Sequence, residues 1–362
     1  MPKALVAMSG GVDSSVAAAL LKRAGFDVFG VFLKLFDSPQ LKLRPTHRPL
    51  THPPGPNMEE KKVRKIAKVL RIPFLVLDLR KEFKKKVINY FLREYKKGKT
   101  PNSCVVCNKK IKFGILLEKA KKLKADYLAT GHYTRLRREF PISNSQFSIY
   151  RLLKGKDKNR DQSYFLWQLS QKQLKHILFP IGNYTKSEVR NLARKIGVLN
   201  LVRPESREIC FIGKDLKKYL NKHIKVIPGP IFNTLGKKIG EHQGLDLYTI
   251  GQRKEIRLSG GPYWVLDKDL KRNALIVTKN KKDLYKKELI AEKVNWVSGK
   301  EPKFPLRVKA KIRYYSPLAL ATLSKKGKFI KVVFDKAQRA IAPGQSVVFY
   351  LNQELLGGGV IK

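Results

Sequence analysis

The stretch "TPNSCVVCNKKIKF", Thr100 to Phe113, sets Cys104 and Cys107 three residues apart, and the chain holds one further cysteine, Cys210. A thiolate is both a nucleophile and a metal ligand, so this spacing admits several chemistries. Three cysteines cannot all pair with one another. A disulfide framework is therefore disfavoured against a reactive or metal-binding role. The C-x-x-C spacing fits zinc, but there is no second C-x-x-C and the six histidines are scattered. It also fits a thioredoxin-like redox pair, although the flanking "TPN" does not add that fold. By residue type alone, Cys210 in the apolar "ICFI" reads as a core residue, because cysteine buries readily.

The loop "SGGVDSS", Ser9 to Ser15, offers a different chemistry. Two glycines let the backbone turn tightly and leave its amides open. A helix N-terminus behind them adds partial positive charge, and Ser14 and Ser15 add hydroxyl donors. That combination is an anion cradle. It lacks the lysine of the common nucleotide P-loop, "GK[ST]". A glycine turn with a capping serine is the plainer alternative.

Lys+Arg number 77 against 28 Asp+Glu in 362 residues, a formal net charge of +49. Such a surface binds polyanions, and a nucleic acid is the natural partner. The lysines are spread over the whole chain, which compositional drift would also produce. Hydrophobic residues make up 43%, which excludes a disordered chain. The chain has no apolar run of bilayer length, and "KALVAMSG" reads as a core strand and not a secretory signal. These readings place the protein in the cytoplasm, off the membrane.

The elements that must position these residues alternate between strand and helix over the first two hundred positions. "ALVAM" and "VFGVFL" read as strands. Between them Val16, Ala17, Leu20 and Leu21 recur at helical spacing, and Gly25 ends the helix. Pro39, Pro45, Pro49, Pro53, Pro54 and Pro56 make the next stretch a loop. "EEKKVRKIAKVL" is a helix with Val63, Ile66, Ala67 and Leu70 on one face. "FLVLDL" and "DYLAT" are strands; "VINYFLREY" and "IKFGILLEKAKKL" are helices. Thr185 with Glu188 has capping-box form, so a further helix starts there. This alternation predicts a parallel sheet covered by helices. Strand patterns dominate after about Gly213. "YWVLD" and "NALIVT" flank a charged turn. Leu306 to Tyr314 alternates, with Arg307, Lys309, Lys311 and Arg313 on one face. "FIKVVF", "SVVFYL" and "GVI" complete one or two small β-barrels.

With these elements in place, "SGGVDSS" after an N-terminal strand resembles the PP-loop of ATP pyrophosphatases. Six more strings resemble the tRNA-specific 2-thiouridylases: "TPNSCVVCNKKIKFG", "LATGHYTR", "RDQSYFLW", "REICFIG", "YTIGQRK" and "APGQSVVFY". They fall in family order over nearly the whole chain. The resemblance implies an α/β fold: a parallel-sheet PP-loop domain over 1–213, a small central domain over 214–288 and a C-terminal β-barrel over 289–362. It implies ATP-dependent replacement of the C2 oxygen of a tRNA wobble uridine by sulfur. ATP and Mg²⁺ are then required, with tRNA and a sulfur donor as partners; no DNA is expected. The alternatives are another PP-loop adenylating ligase or amidotransferase, which needs no reactive thiols, and an inactive basic RNA-binding protein.

The same resemblance assigns residues. Cys107 is the nucleophile and Cys210 carries the persulfide; a Cys107–Cys210 disulfide follows turnover. Ala7, Met8, Ser9, Gly10, Gly11, Val12, Asp13 and Ser14 cradle ATP, with Leu33 and Gly131 at the adenine. Asn102, Ser103 and Cys104 meet the target base. His132, Arg160, Asp161, Gln162, Arg313, Tyr314 and Gln345 contact tRNA. The family commonly has "NPDxxCN" where this chain has "NSCVVCN", so Cys104 replaces an aspartate and any base role of that aspartate cannot be carried over. Variants with this C-x-x-C resemble thiolases that hold a 4Fe–4S cluster on three cysteines, here Cys104, Cys107 and Cys210. The persulfide and cluster routes both stay open on the sequence.

Overall fold

A computed structural model of the chain describes residues 1–36, 58–139, 148–202, 209–213 and 215–362. The proline-rich stretch read above as a loop lies outside the described residues. The chain divides into two compact units. One comprises Met1–Val87, Cys104–Gly213 and Gln353–Leu355; the other comprises Ile88–Ser103, Lys214–Asn352 and Leu356–Lys362.

In the first unit, β1 (Lys3–Ala7), β2 (Asp27–Lys34), β3 (Phe74–Asp78) and β4 (Tyr127–Thr130) belong to a parallel sheet. A hairpin of β5 (Thr134–Glu139) and β6 (Ile149–Lys154) follows, and β7 (Ile177–Leu178) returns to the sheet edge. The order is β3-β2-β1-β4-β7. The central strand β1 is apolar on both faces, as burial on both sides requires. One face carries α1 (Val12–Arg23), α2 (Met58–Leu70) and the helix Lys186–Lys195, joined through Val6, Val16, Val63, Ile66, Ala129 and Val189. The expected apolar stripe of α2 is buried at all four positions. The Thr185–Glu188 capping box is formed, with Thr185 Oγ1 accepting from the Glu188 amide and the Glu188 carboxylate accepting from the Thr185 amide. Strand order reverses between β1 and β4. Open α/β sheets bind ligands outside the carboxyl ends of the strands at such a switch point. The β5–β6 hairpin escaped the sequence reading, because its polar, arginine-rich alternation looks like exposed chain.

The second unit holds a four-stranded sheet in the order β10-β11-β8-β9, made of β8 (Gly229–Phe232), β9 (Lys238–His242), β10 (Trp264–Asp269) and β11 (Ala274–Thr278). A barrel follows from β12 (Tyr285–Trp296), β13 (Leu306–Lys311), β14 (Ala319–Lys326), β15 (Phe329–Arg339), β16 (Ser346–Leu351) and β17 (Glu354–Ile361). Its order is β12-β15-β14-β13-β16-β17, and pairing of β12 with β17 closes it. Val308, Ala310 and Ile312 fill its interior, matching the predicted alternation. The strand itself stops at Lys311, short of the Tyr314 read from the pattern. No helix among the described residues is long and apolar enough to cross a membrane.

Candidate active site

The glycine loop occupies the carboxyl end of β1. The Met8 amide donates to the Val31 carbonyl (2.8 Å), which aligns the loop with β2. Gly10 takes φ +76°, a conformation that glycine adopts without a Cβ penalty. Gly11 caps α1 in extended geometry. Ser14 and Ser15 both turn their hydroxyls onto the Gly11 carbonyl (3.1 and 3.0 Å), and Ser14 Oγ accepts from the Ser9 amide (3.2 Å). Those hydroxyls shape the loop, and so do the amides of Met8, Ser9 and Gly11, so the donors left to the cradle are the amides the loop does not itself use. Gly131, just after β4, abuts the start of α1. A Cβ there would lie 2.7 Å from both Asp13 C and Ser14 N. Leu33 lies one residue from the end of β2 and registers with Leu77 of β3.

Asp13 Oδ1 accepts from Lys186 Nζ and from Tyr133 Oη, each at 2.7 Å. Lys186 is buried, opens the helix Lys186–Lys195, and donates its own amide to Asp157 (2.9 Å). The loop that lacks the usual P-loop lysine therefore receives a cation from 173 residues away. Sequence reasoning missed Lys186 and Tyr133. The capping box located the helix start, but nothing in the sequence singled out this lysine among 77 basic residues.

The cysteines follow a helix, Ser103–Cys107, that rewinds as a π-helix over Asn108–Ile115 and resumes as α over Leu116–Lys122. Cys107 is buried, whereas Cys104 and Cys210 are exposed, and none of the three is in a disulfide. Burial pushes the Cys107 thiol up to about 12; Lys112 opposes this, and the charges of Cys210 and Cys104 add to it. Those mutual effects put the three sulfurs in one electrostatic neighbourhood. Among the described residues, however, no group of three His, Cys, Asp or Glu side chains is arranged to hold a metal ion. The donor set does not fit a three-cysteine cluster. The apolar "ICFI" buries Phe211, edge-on to Phe83 at 5.6 Å, and leaves Cys210 exposed, against the core reading of that cysteine.

The remaining expected residues have definite places. Asn102 is half-buried and Ser103 is buried, with its Oγ unpartnered. Asn108 resembles Ser103: its Oδ1 is buried without a partner, while its Nδ2 donates to the Phe165 carbonyl (3.3 Å). His132 is buried between Phe113 and Phe179, with Nδ1 2.7 Å from Thr130 Oγ1. Burial, then Lys112, holds its pKa well below the usual imidazole value, so the ring is neutral. Asp161 accepts from the Gly155 and Ser163 amides (3.1 Å each) and the Ser163 hydroxyl (3.0 Å). Gln162 exchanges hydrogen bonds with the Tyr133 backbone, and the Arg160 amide donates to the Asp157 carbonyl. "RDQS" is thus a clasp that fixes Tyr133, and through it Asp13. In the second unit, Arg313 Nη2 donates to the carbonyls of Ile250 (3.1 Å) and Ala340 (2.7 Å). Tyr314 lies edge-on to Tyr315 with Lys311 over its ring. Gln345 donates to the Thr100 carbonyl (2.8 Å).

A parallel sheet with a glycine loop at its switch point, a small sheet and a closed barrel define an α/β nucleotide-binding-type protein with two appended β domains. Family models match in that order: "tRNA methyl transferase HUP domain" over residues 2–214, "tRNA methyl transferase PRC-barrel domain" over 217–279 and "Aminomethyltransferase beta-barrel domain" over 286–361. The tRNA-specific 2-thiouridylase MnmA of Clostridioides difficile is 43% identical over 366 residues, covering 99% of this chain and 98% of that one. That of Moorella thermoacetica is 44% identical over 370 residues, covering 99% of each. That of Halothermothrix orenii is 43% identical over 368 residues, covering 100% and 99%. The chain belongs to the tRNA-specific 2-thiouridylase family.

Proposed function

We propose that this protein is an ATP-dependent tRNA-uridine 2-sulfurtransferase acting in the cytoplasm. The observation that carries the reading is the division of labour among the thiols of one unit: a buried Cys107, and an exposed Cys210 that a donor can reach. A urea-type carbonyl is a poor electrophile, so the uridine O2 first attacks the α-phosphate of ATP and releases pyrophosphate. The loop Ala7 through Ser14 holds the phosphates through the amides it does not itself use, and Leu33 and Gly131 border the adenine. Lys186 supplies positive charge at the loop. Mg²⁺ would enter with ATP, and Asp13 is the carboxylate placed for it, with Oδ1 already engaged by Lys186 and Tyr133.

Sulfur arrives as the terminal atom of a Cys210 persulfide. It displaces AMP, which leaves with the uridine oxygen. The sulfane sulfur needs two electrons to become a thiocarbonyl. Cys107 and Cys210 provide them by closing a disulfide, which an external thiol then reopens. We assign the cluster route no step. Cys104 stands with Asn102 and Ser103 near the target base. Arg160, Asp161, Gln162, His132, Tyr314 and Gln345 shape or border the RNA site, and Arg313 acts as described below.

The test is nucleoside mass analysis of tRNA after incubation with ATP and a persulfide source. Two-thiouridine formed with one AMP per sulfur supports the reading. AMP formation without thiolation points instead to another adenylating ligase, and tRNA binding without AMP formation to a non-enzymatic RNA binder.

A further inference from the structure

The "YTIGQRK" string, followed by "EIRLSGG", forms a loop whose construction the sulfur chemistry does not explain. Its base is locked. Gln252 Oε1 accepts from the Thr249 amide (3.1 Å), and its Nε2 donates to the Lys254 carbonyl (3.0 Å). The Gly251 amide donates to the Val265 carbonyl, and the Val265 amide to that of Gln252. Thr249 is also bonded to Thr100 (3.3 Å). A Cβ on Gly251 would run into that of Ala340, which itself sits at φ +56°. Arg313 donates to carbonyls on both sides of this seam, Ile250 and Ala340.

Beyond the lock, Ile256 is buried as an anchor, while Arg253, Lys254, Glu255 and Arg257 are exposed. Glu255 and Arg257 hold φ +67° and +58°, which side-chain-bearing residues adopt only at some cost in backbone strain. Most of the described arginines are paired or tied down. Among the described residues, the arginines whose guanidinium groups make no hydrogen bond, ion pair or ring contact are Arg23, Arg71, Arg253, Arg257 and Arg339. Two of them share this loop, and the ammonium of Lys254 beside them likewise makes no such contact. A strained, hydrogen-bonded loop that presents three uncompensated cations suits a regular array of anions.

We propose that this loop is an RNA-backbone contact: Arg253, Lys254 and Arg257 meet phosphates of the bound tRNA, and Arg313 is a positioning residue that holds the loop and does not touch phosphate. The inference rests on the tRNA reading above. Guanidinium and ammonium groups bind phosphate without reading sequence, so this contact supplies affinity and register, not base choice.

The experiment measures tRNA affinity against salt for the full chain and for R253Q/K254Q/R257Q. Each lost duplex phosphate contact makes the slope of log affinity against log salt less negative by about 0.9, so the triple variant should change it by about 2 to 3. Between 50 and 200 mM salt the wild type should then lose about 40-fold more affinity than the variant. K61Q/K65Q/K68Q, on the exposed side of α2, removes the same charge and should change the slope far less. Arg313→Gln should weaken binding alone but add nothing in the triple background. An unchanged slope in the triple variant, or an equal change in the α2 control, overturns the proposal. A full Arg313 effect persisting in the triple background overturns its positioning role. If the triple variant melts early, Arg253→Gln alone should shift the slope by about one, and no shift has the same meaning. A wild type that fails to bind tRNA removes the thiolase reading as well, so that failure is distinct from failure of the loop.

Discussion

Gly131→Ala is the sharpest probe of the nucleotide site. The added methyl would sit 2.7 Å from Asp13 C and Ser14 N and 3.0 Å from Ser14 Cα, all backbone atoms that cannot rotate away. Ordinary contact begins near 3.4 Å, so β4 and the start of α1 must separate by about 0.7 Å. That movement falls on the amides that cradle phosphate. Overpacking of this kind costs about 1–3 kcal/mol of stability. A displacement approaching 1 Å at a reacting group costs roughly 10²-fold in rate. The assay is tRNA-dependent AMP formation over a range of ATP concentrations, run well below the melting temperature, with tRNA affinity measured in parallel. We expect kcat/KM for ATP to fall about 100-fold while tRNA binding persists. Gly236→Ala is the control: at φ +77° with nothing within 4 Å, it strains the backbone without steric contact and should leave AMP formation intact. A Gly131→Ala enzyme with wild-type kcat/KM for ATP would refute the placement of ATP at this switch point.

Cys107→Ser and Cys210→Ser should each abolish thiolation while tRNA still binds; near-normal turnover by either with a persulfide donor would remove that cysteine from the chemistry. At neutral pH iodoacetamide should label Cys104 and Cys210 well before Cys107, whose rate should climb until about pH 12, and equal labelling at pH 7.5 would contradict its burial. Because the folded thiol titrates near 12 against 9.0 unperturbed, its contribution to stability is complete below about 9 and is lost as pH rises towards 12. Cys107→Ser should therefore lose stability less steeply than wild type across that window, as chemical denaturation at several pH values would show. Lys186→Met removes the cation on Asp13 and should cut AMP formation by about 10²-fold or more, whereas Lys186→Met at wild-type rate would make the pair purely structural.

Much of this molecule was legible from residue pattern because its central elements obey simple periodicities. Val63, Ile66, Ala67 and Leu70 repeat at helical spacing and are buried together. The switch from helix–strand alternation to strands near Gly213 follows the change from sheet-covering helices to a barrel. The site was legible only locally. "SGGVDSS" announces a turn that presents amides, but the cation serving it comes from Lys186, and no local pattern reports a contact across 173 residues. Ser14 and Ser15 read as anion donors by type, yet both hydroxyls are used on the Gly11 carbonyl. Arg313 reads as the last of four cations on one alternating face, yet the strand ends at Lys311 and the guanidinium turns onto two carbonyls. Cys210 sits in an apolar string and is exposed, because Phe211 takes the core position. In each case burial and partner choice were set by tertiary neighbours.

The most direct test of the account follows one labelled sulfur. Enzyme carrying an isotopically heavy persulfide on Cys210 is mixed with tRNA and ATP in the absence of reductant, for a single turnover. The account predicts heavy sulfur at C2 of the modified uridine, one AMP per sulfur, and a Cys107–Cys210 disulfide in the peptide map. Heavy sulfur delivered to tRNA by a Cys210→Ser enzyme, or full transfer with Cys107 still a free thiol, would contradict it.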